Sequence, residues 1–189
     1  MAENSENYRV LGVDPGTNIL GYAVLEVRGT ELLALDLGVI YLKKVEDHPN
    51  RLKRIFERLQ AIIEHYQPKA MAIEAPFYGK NPQSMLKLGR AQGVAIAAAI
   101  TKGLEIAEYS PKSIKQSVTG NGNAAKEQVA AMLVRTLKVD LEGQYLDATD
   151  ALAAAVCHFY QSRSPVNTKG KRKDWSAFLK DNPNRISGI

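Results

Sequence analysis

Two short apolar runs each end in a carboxylate, and that pairing constrains the fold more than any other feature of this 189-residue chain. Val10-Leu11-Gly12-Val13 leads into Asp14 and stops at Pro15-Gly16; Ala70-Met71-Ala72-Ile73 leads into Glu74 and stops at Ala75-Pro76. Continuous runs this short read as buried strands bounded by turns. Two further acids, Asp147 and Asp150, open the apolar stretch Ala151 to Val156, and their three-residue separation puts them on one helical face. An ionised carboxylate at the margin of a core is costly unless something compensates it. Brought together, the four would form a dense negative cluster whose natural compensation is a divalent cation. An all-oxygen donor set favours Mg²⁺ or Mn²⁺. Each acid also has a plainer use: Asp14 as a turn former, Asp147 as a helix N-cap, Glu74 as the partner of a lysine. Spacing alone leaves both uses open.

The order of elements follows from the remaining apolar patterns. Arg9–Asp14, Ile19–Val27 and Glu31–Leu42 suit three antiparallel strands with tight connections. Leu52, Ile55, Phe56, Leu59, Ile62, Ile63 and Tyr66 then recur on one helical face, with Asp47 placed to cap the helix and Pro68 just beyond it. A strand over 70–74, a helix over about 83–100, a strand over 104–109 and helices near 126–137 and 147–161 complete the series. Three strands, helix, strand, helix, strand, helices predicts an α/β fold: a mixed sheet of about five strands with helices on both faces. Gly89, Gly93 and Ala97 recur every four residues along the second helix. Such a stripe suits close packing on the chain's own sheet, or a subunit interface.

Charge and cysteine usage narrow the function class. The net charge of +5 lies entirely in residues 161–189, where seven basic side chains face two acidic ones, while residues 1–160 balance. A basic terminal arm suits a polyanion such as nucleic acid, or serves only to solubilise. Its loss (residues 164–189) is expected to weaken DNA binding and flatten the salt dependence. Cys157 is the single cysteine, which excludes an internal disulfide and a cysteine-held zinc and suits a reducing, cytoplasmic setting. The longest uncharged membrane-like stretch is far shorter than the roughly 20 residues a spanning helix needs, so no membrane association is expected. The expected organisation is a polar extension over 1–8, a catalytic domain over 9–162 and a basic tail over 163–189.

At this point the motifs become recognisable as a set. Leu11-Gly12-Val13-Asp14-Pro15-Gly16-Thr17 followed by Gly21-Tyr22-Ala23 resembles the opening of the RuvC family of Holliday junction resolvases. Ile73-Glu74-Ala75-Pro76-Phe77, Leu86 to Val94, Lys115 to Gly120 with Lys126 downstream, and Asp147-Ala148-Thr149-Asp150-Ala151-Leu152-Ala153 match later family motifs in order. The resemblance covers about residues 9–160. It implies a ribonuclease-H-like fold, a homodimer, and Mg²⁺-dependent cutting of two opposed strands in four-way junction DNA during recombination and repair. It also implies metal-binding acids at Asp14, Glu74, Asp147 and Asp150, with two Mg²⁺ per site and Mn²⁺ as a substitute. Delivery of the junction by a RuvA–RuvB branch-migration complex is a further implication. Two metals roughly 3.5–4 Å apart can activate a water and stabilise the departing 3′-oxygen.

Around that cluster the resemblance gives Lys126 a catalytic role, stabilising charge on the phosphate, and Lys115 a hold on the DNA backbone. Phe77, in the loop after Glu74, takes the role of stacking on an unpaired junction base, a contact typically worth about 1–3 kcal/mol. From the residues alone, surface exposure suits either lysine and loop packing suits Phe77. His48, His65 and His158 have no second ligand at metal spacing, and Cys157 suits a small core position. Asp14-Pro15-Gly16-Thr17 also looks like the first phosphate loop of the actin, chaperone and sugar-kinase ATPases. Those clamp a nucleotide between two such domains, and 189 residues cannot supply two. A nuclease of looser specificity, acting on RNA–DNA hybrids or branched DNA, and a non-catalytic junction-binding protein are the remaining alternatives.

Overall fold

A computed structural model describes residues 7–163 apart from 46, 76–80 and 142. The residues up to 6, residues 76–80 with Phe77, and the basic stretch from 164 therefore lie outside the described residues. Strands β1 (Tyr8–Asp14), β2 (Ile19–Arg28) and β3 (Glu31–Tyr41) form an antiparallel meander. Helix α1 (His48–Tyr66) leads to β4 (Ala70–Glu74), and α2 (Pro82–Ile100) leads to β5 (Glu105–Tyr109). Helices α3 (Pro111–Thr119), α4 (Lys126–Leu137) and α5 (Leu146–Arg163) close the chain. The sheet order is β3-β2-β1-β4-β5, with β4 parallel to both β1 and β5. This is the mixed five-stranded sheet expected from the element order, and helices cover both faces.

The two faces follow from the two-residue period of the strands. Leu11 and Val13 of β1, Leu20 and Val24 of β2, and Met71 and Ile73 of β4 pack under α1 and α2, against Ile55, Leu59, Ile62 and Ala95. Val10, Ala23, Leu25 and Ala72 point the other way, towards α5 and its neighbours α3 and α4. Helix α1 begins where the sequence predicts: Asp47 Oδ1 accepts the Asn50 N–H at 2.8 Å. Among the described residues no helix is long and apolar enough to cross a membrane.

Two sequence expectations change. Helix α3 was not foreseen, although its stop signals are present: Ser110 Oγ accepts the Ser113 N–H at 3.1 Å, Pro111 opens the helix, and Gly120 ends it at φ 77°. Its buried face is only Ile114 and Val118, too short a pattern to register as periodic. The glycine stripe of α2 does not pack on the sheet. A side chain added at Gly89 or Gly93 would meet nothing within 4 Å, and α2 instead buries Ala91, Gln92, Ala95, Ala98 and Ala99.

Candidate active site

The same alternation that buries Leu11 and Val13 beneath α1 turns Asp14 to the α5 face, and Met71 and Ile73 do the same for Glu74. Val10 pairs with Ala70 and Val13 with Ile73, so the two acids stand level at the ends of adjacent parallel strands. Helix α5 brings the second pair. It can lie directly on the sheet because glycines sit beneath it. A Cβ at Gly12 would fall 2.0 Å from the Ala151 carbonyl oxygen, and one at Gly21 would fall 1.9 Å from that of Asp147. Gly21 is the β2 partner of Asp14. The first turn of α5 is thereby held over the end of β1, with Asp147 and Asp150 both half-buried. Asp147 is the second residue of α5 and not its N-cap.

Electrostatics show that Asp14 and Glu74 sense their acidic neighbours. Asp14 has its pKa pushed up to about 8, first by burial and then by Glu74, Asp150 and Asp147, with Lys126 opposing. Glu74 is likewise raised, by burial and by Asp150, against the pull of Lys126 and Lys115. Among the described residues, the acids that raise Asp14 are the three picked out from the sequence.

Both lysines come from the unforeseen α3 and its successor. Lys126 opens α4 and donates from Nζ to Asp150 Oδ2 at 2.5 Å; that hydrogen bond raises its pKa, against burial, and keeps it an ammonium. Lys115 on α3 lines a cavity of about 150 Å³ together with Glu74, Lys126 and Asp150, with Ile114 and Val129 as apolar wall. A larger cavity of about 650 Å³ lies between the β2–β3 turn and the ends of α4 and α5, and none of the four acids lines it.

Among the described residues, no three carboxylate, imidazole or thiol groups are placed closely enough to hold a metal ion between them. The donor set nonetheless suits a hard cation. It is all carboxylate oxygen, burial and then the neighbouring acids raise the Asp14 carboxyl, and the Lys126 ammonium sits on Asp150. The discounted residues stay apart from the acids. His158 Nδ1 lies 2.9 Å from Tyr109 Oη, and burial holds its pKa down. Cys157 is fully buried with Sγ 3.3 Å from Ser117 Oγ.

An aromatic pair not expected from the sequence stands at the start of α5. Tyr41 and Tyr145 meet edge to face at 5.6 Å between ring centres and remain 44% and 48% exposed, next to the exposed Leu146. The clue was available in Tyr145-Leu146, an apolar pair immediately before Asp147.

Residues 10–158 match the family model described as Crossover junction endodeoxyribonuclease RuvC. A protein of that description from Cytophaga hutchinsonii is 56% identical over 95% of this chain and 88% of its own length. One from Porphyromonas gingivalis is 52% identical over 94% of this chain and 96% of its own. Among solved structures, Thermus thermophilus RuvC in complex with a Holliday junction substrate superposes with a TM-score of 0.78 at 32% identity, covering 82% of this chain and 95% of that one.

Proposed function

The chain belongs to the RuvC family of crossover junction endodeoxyribonucleases, and on that premise we propose how it resolves four-way DNA junctions. Asp14, Glu74, Asp147 and Asp150 hold a pair of divalent cations, Mg²⁺ in preference and Mn²⁺ as a substitute, and one phosphodiester is hydrolysed in each of two opposed strands. The observation that carries this reading is the raised pKa of Asp14, lifted first by burial and then by Glu74, Asp150 and Asp147 around one strand end. When bound, the cations supply Lewis-acid activation of water and stabilisation of the departing 3′-oxygen.

The chain's own residues do the rest. Asp14 gives up its proton as positive charge arrives, because ionisation is costly only while the cluster is uncompensated. Lys126 leaves Asp150 and turns its ammonium to the non-bridging oxygens of the phosphate, where charge builds up. Lys115, in the wall of the same cavity, holds the DNA backbone. Phe77 stacks on a base exposed at the crossover. Two copies related by a two-fold axis present two such sites, and the exposed α2 stripe of Leu86, Gly89, Gly93 and Ala97 is the contact between them. A RuvA–RuvB branch-migration complex is the partner that delivers the junction.

The test compares wild type with Asp14→Asn on a synthetic four-way junction, with and without Mg²⁺, scoring binding and cleavage separately. Paired nicks near the crossover that need the metal and vanish in the variant, while binding persists, are the expected result. Equal cutting of an RNA–DNA hybrid would replace this reading with a nuclease of looser specificity. Binding without cleavage by either protein, in Mg²⁺ or Mn²⁺, would replace it with a junction binder.

A further inference from the structure

On the other face of the sheet from Lys115 and Lys126, a second cavity of about 350 Å³ opens beside the Asp14 loop. Thr17, Asn18, His48, Arg51, Ser84 and Lys87 line it. Its character differs from that of the acid site: two permanent cations, an imidazole, two hydroxyls and an amide, with no carboxylate in the lining. Arg51 braces the loop by donating to the carbonyls of Lys43, Val45 and Thr17 and to Asn18 Oδ1. Those acceptors are neutral, so they leave the guanidinium charge uncancelled. His48 also lines the cavity, and its Nε2, shielded from solvent, has no hydrogen-bond partner among the described residues. Thr17 is three residues from Asp14, so one short loop joins this cavity to the acid site.

We infer that this cavity seats a second backbone phosphate of the bound DNA, fixing the cleaved strand on the far side of the Asp14 loop. The inference rests on the junction-resolving reading above. Cationic and hydroxyl donors converging without an acid are what a phosphate oxygen needs, and they carry no base specificity. Arg51 both braces the loop and faces the ligand, so its loss would disturb the fold. Lys87 on α2 and His48 on α1 are separable probes.

The experiment uses the full chain carrying Asp14→Asn and follows its binding to a four-way junction across a salt series. Adding Lys87→Glu is expected to weaken binding about tenfold and lower the slope of log K against log salt by about one. Adding His48→Ala is expected to weaken it about threefold, and Lys87→Arg to restore it. A single neutral methylphosphonate at the seated position should weaken the parent protein and leave the Lys87→Glu protein unaffected. Unchanged affinity and slope in both variants would overturn the inference. So would a loss confined to Lys87→Glu, which would point to the neighbouring α2 contact between subunits. If the Asp14→Asn parent itself fails to prefer a junction over linear duplex, the functional reading falls first, and the two failures are distinguished.

Discussion

Two buried carboxylates on opposite faces of the same sheet have opposite surroundings. Glu26 of β2 lies on the α1 side, where Arg9 donates to it at 3.1 Å and Arg28 also pairs with it. Burial pushes its carboxyl up, but the two arginines outweigh burial and the net shift is downward. Arg9 also donates to the Tyr66 carbonyl at 2.9 Å, tying the end of α1 to β1. Asp14 lies on the α5 side among three other acids and is raised to about 8. One face has its charge neutralised by two arginines; on the other, Lys126 pairs with Asp150 and Asp14 stays raised. The packing differs in the same sense. Under α1 and α2 the sheet is filled with Leu, Ile, Val and Met, whereas under α5 glycine and alanine let backbone meet backbone. A close backbone contact tolerates little adjustment, and that stiffness positions Asp147 and Asp150.

The largest expected effect breaks the stiff face. Gly12→Ala places a methyl 2.0 Å from the Ala151 carbonyl oxygen, so α5 must lift. Urea denaturation should show a loss of about 4 kcal/mol or more, and junction cleavage should disappear with it. Wild-type stability would mean that α5 moves freely on the sheet. On the adaptable face, Leu59→Ala opens a cavity beneath α1 and should cost about 2–5 kcal/mol in the same assay. Its folded fraction should cleave at the wild-type rate, because Leu59 touches none of the acids.

The charge contrast predicts stability changes of opposite sign. Asp14 takes up a proton on folding, so its contribution to stability falls as pH rises from near 4 towards 8. Asp14→Asn removes that penalty. In a chelator at pH 8.5 its melting temperature should exceed wild type by roughly 3–6 °C, and a melting curve that shows destabilisation would contradict the uncompensated cluster. Glu26 behaves in reverse. Its lowered pKa gives stability that is present above the unfolded value of about 4.5 and is lost as pH falls through the folded value. Glu26→Gln should therefore be less stable than wild type at pH 7, with the gap closing below pH 4. The effect is smaller than that of Leu59→Ala, because both arginine partners remain partly exposed.

The smallest effect concerns a glycine of the other kind. Gly93 is exposed with nothing within 4 Å of an added side chain. Gly93→Ala should raise the intrinsic stability of the monomer by about 0.5–1 kcal/mol through helix propensity. Sedimentation should at the same time show weaker self-association, since the added methyl holds the facing subunit away. Unchanged association would remove α2 from the dimer contact.

Much of this architecture was legible in the chain. Helix α1 declared itself because seven apolar residues share one face and Asp47 caps it. Strands β1 and β4 did so because each apolar run ends in an acid before a proline. Helix α3 was hidden because two buried residues make no period, and with it went the origin of Lys115. The cavity beside Thr17 was hidden for another reason. Its lining comes from the β1–β2 turn, α1 and α2, segments whose only link is that their ends meet at one edge of the sheet.

By itself, the sequence determined the order of the five strands and of every helix but α3, and it nominated the four acids, because those follow from local period and from the cost of charge beside a core. Only the tertiary structure decided that Asp14 senses Glu74, Asp147 and Asp150, that Lys126 lies on Asp150, and that Gly12 and Gly21 are where α5 comes to rest. These contacts join residues 24 to more than 130 positions apart, and no local rule fixes which surfaces of a folded chain close on one another until all of them are packed.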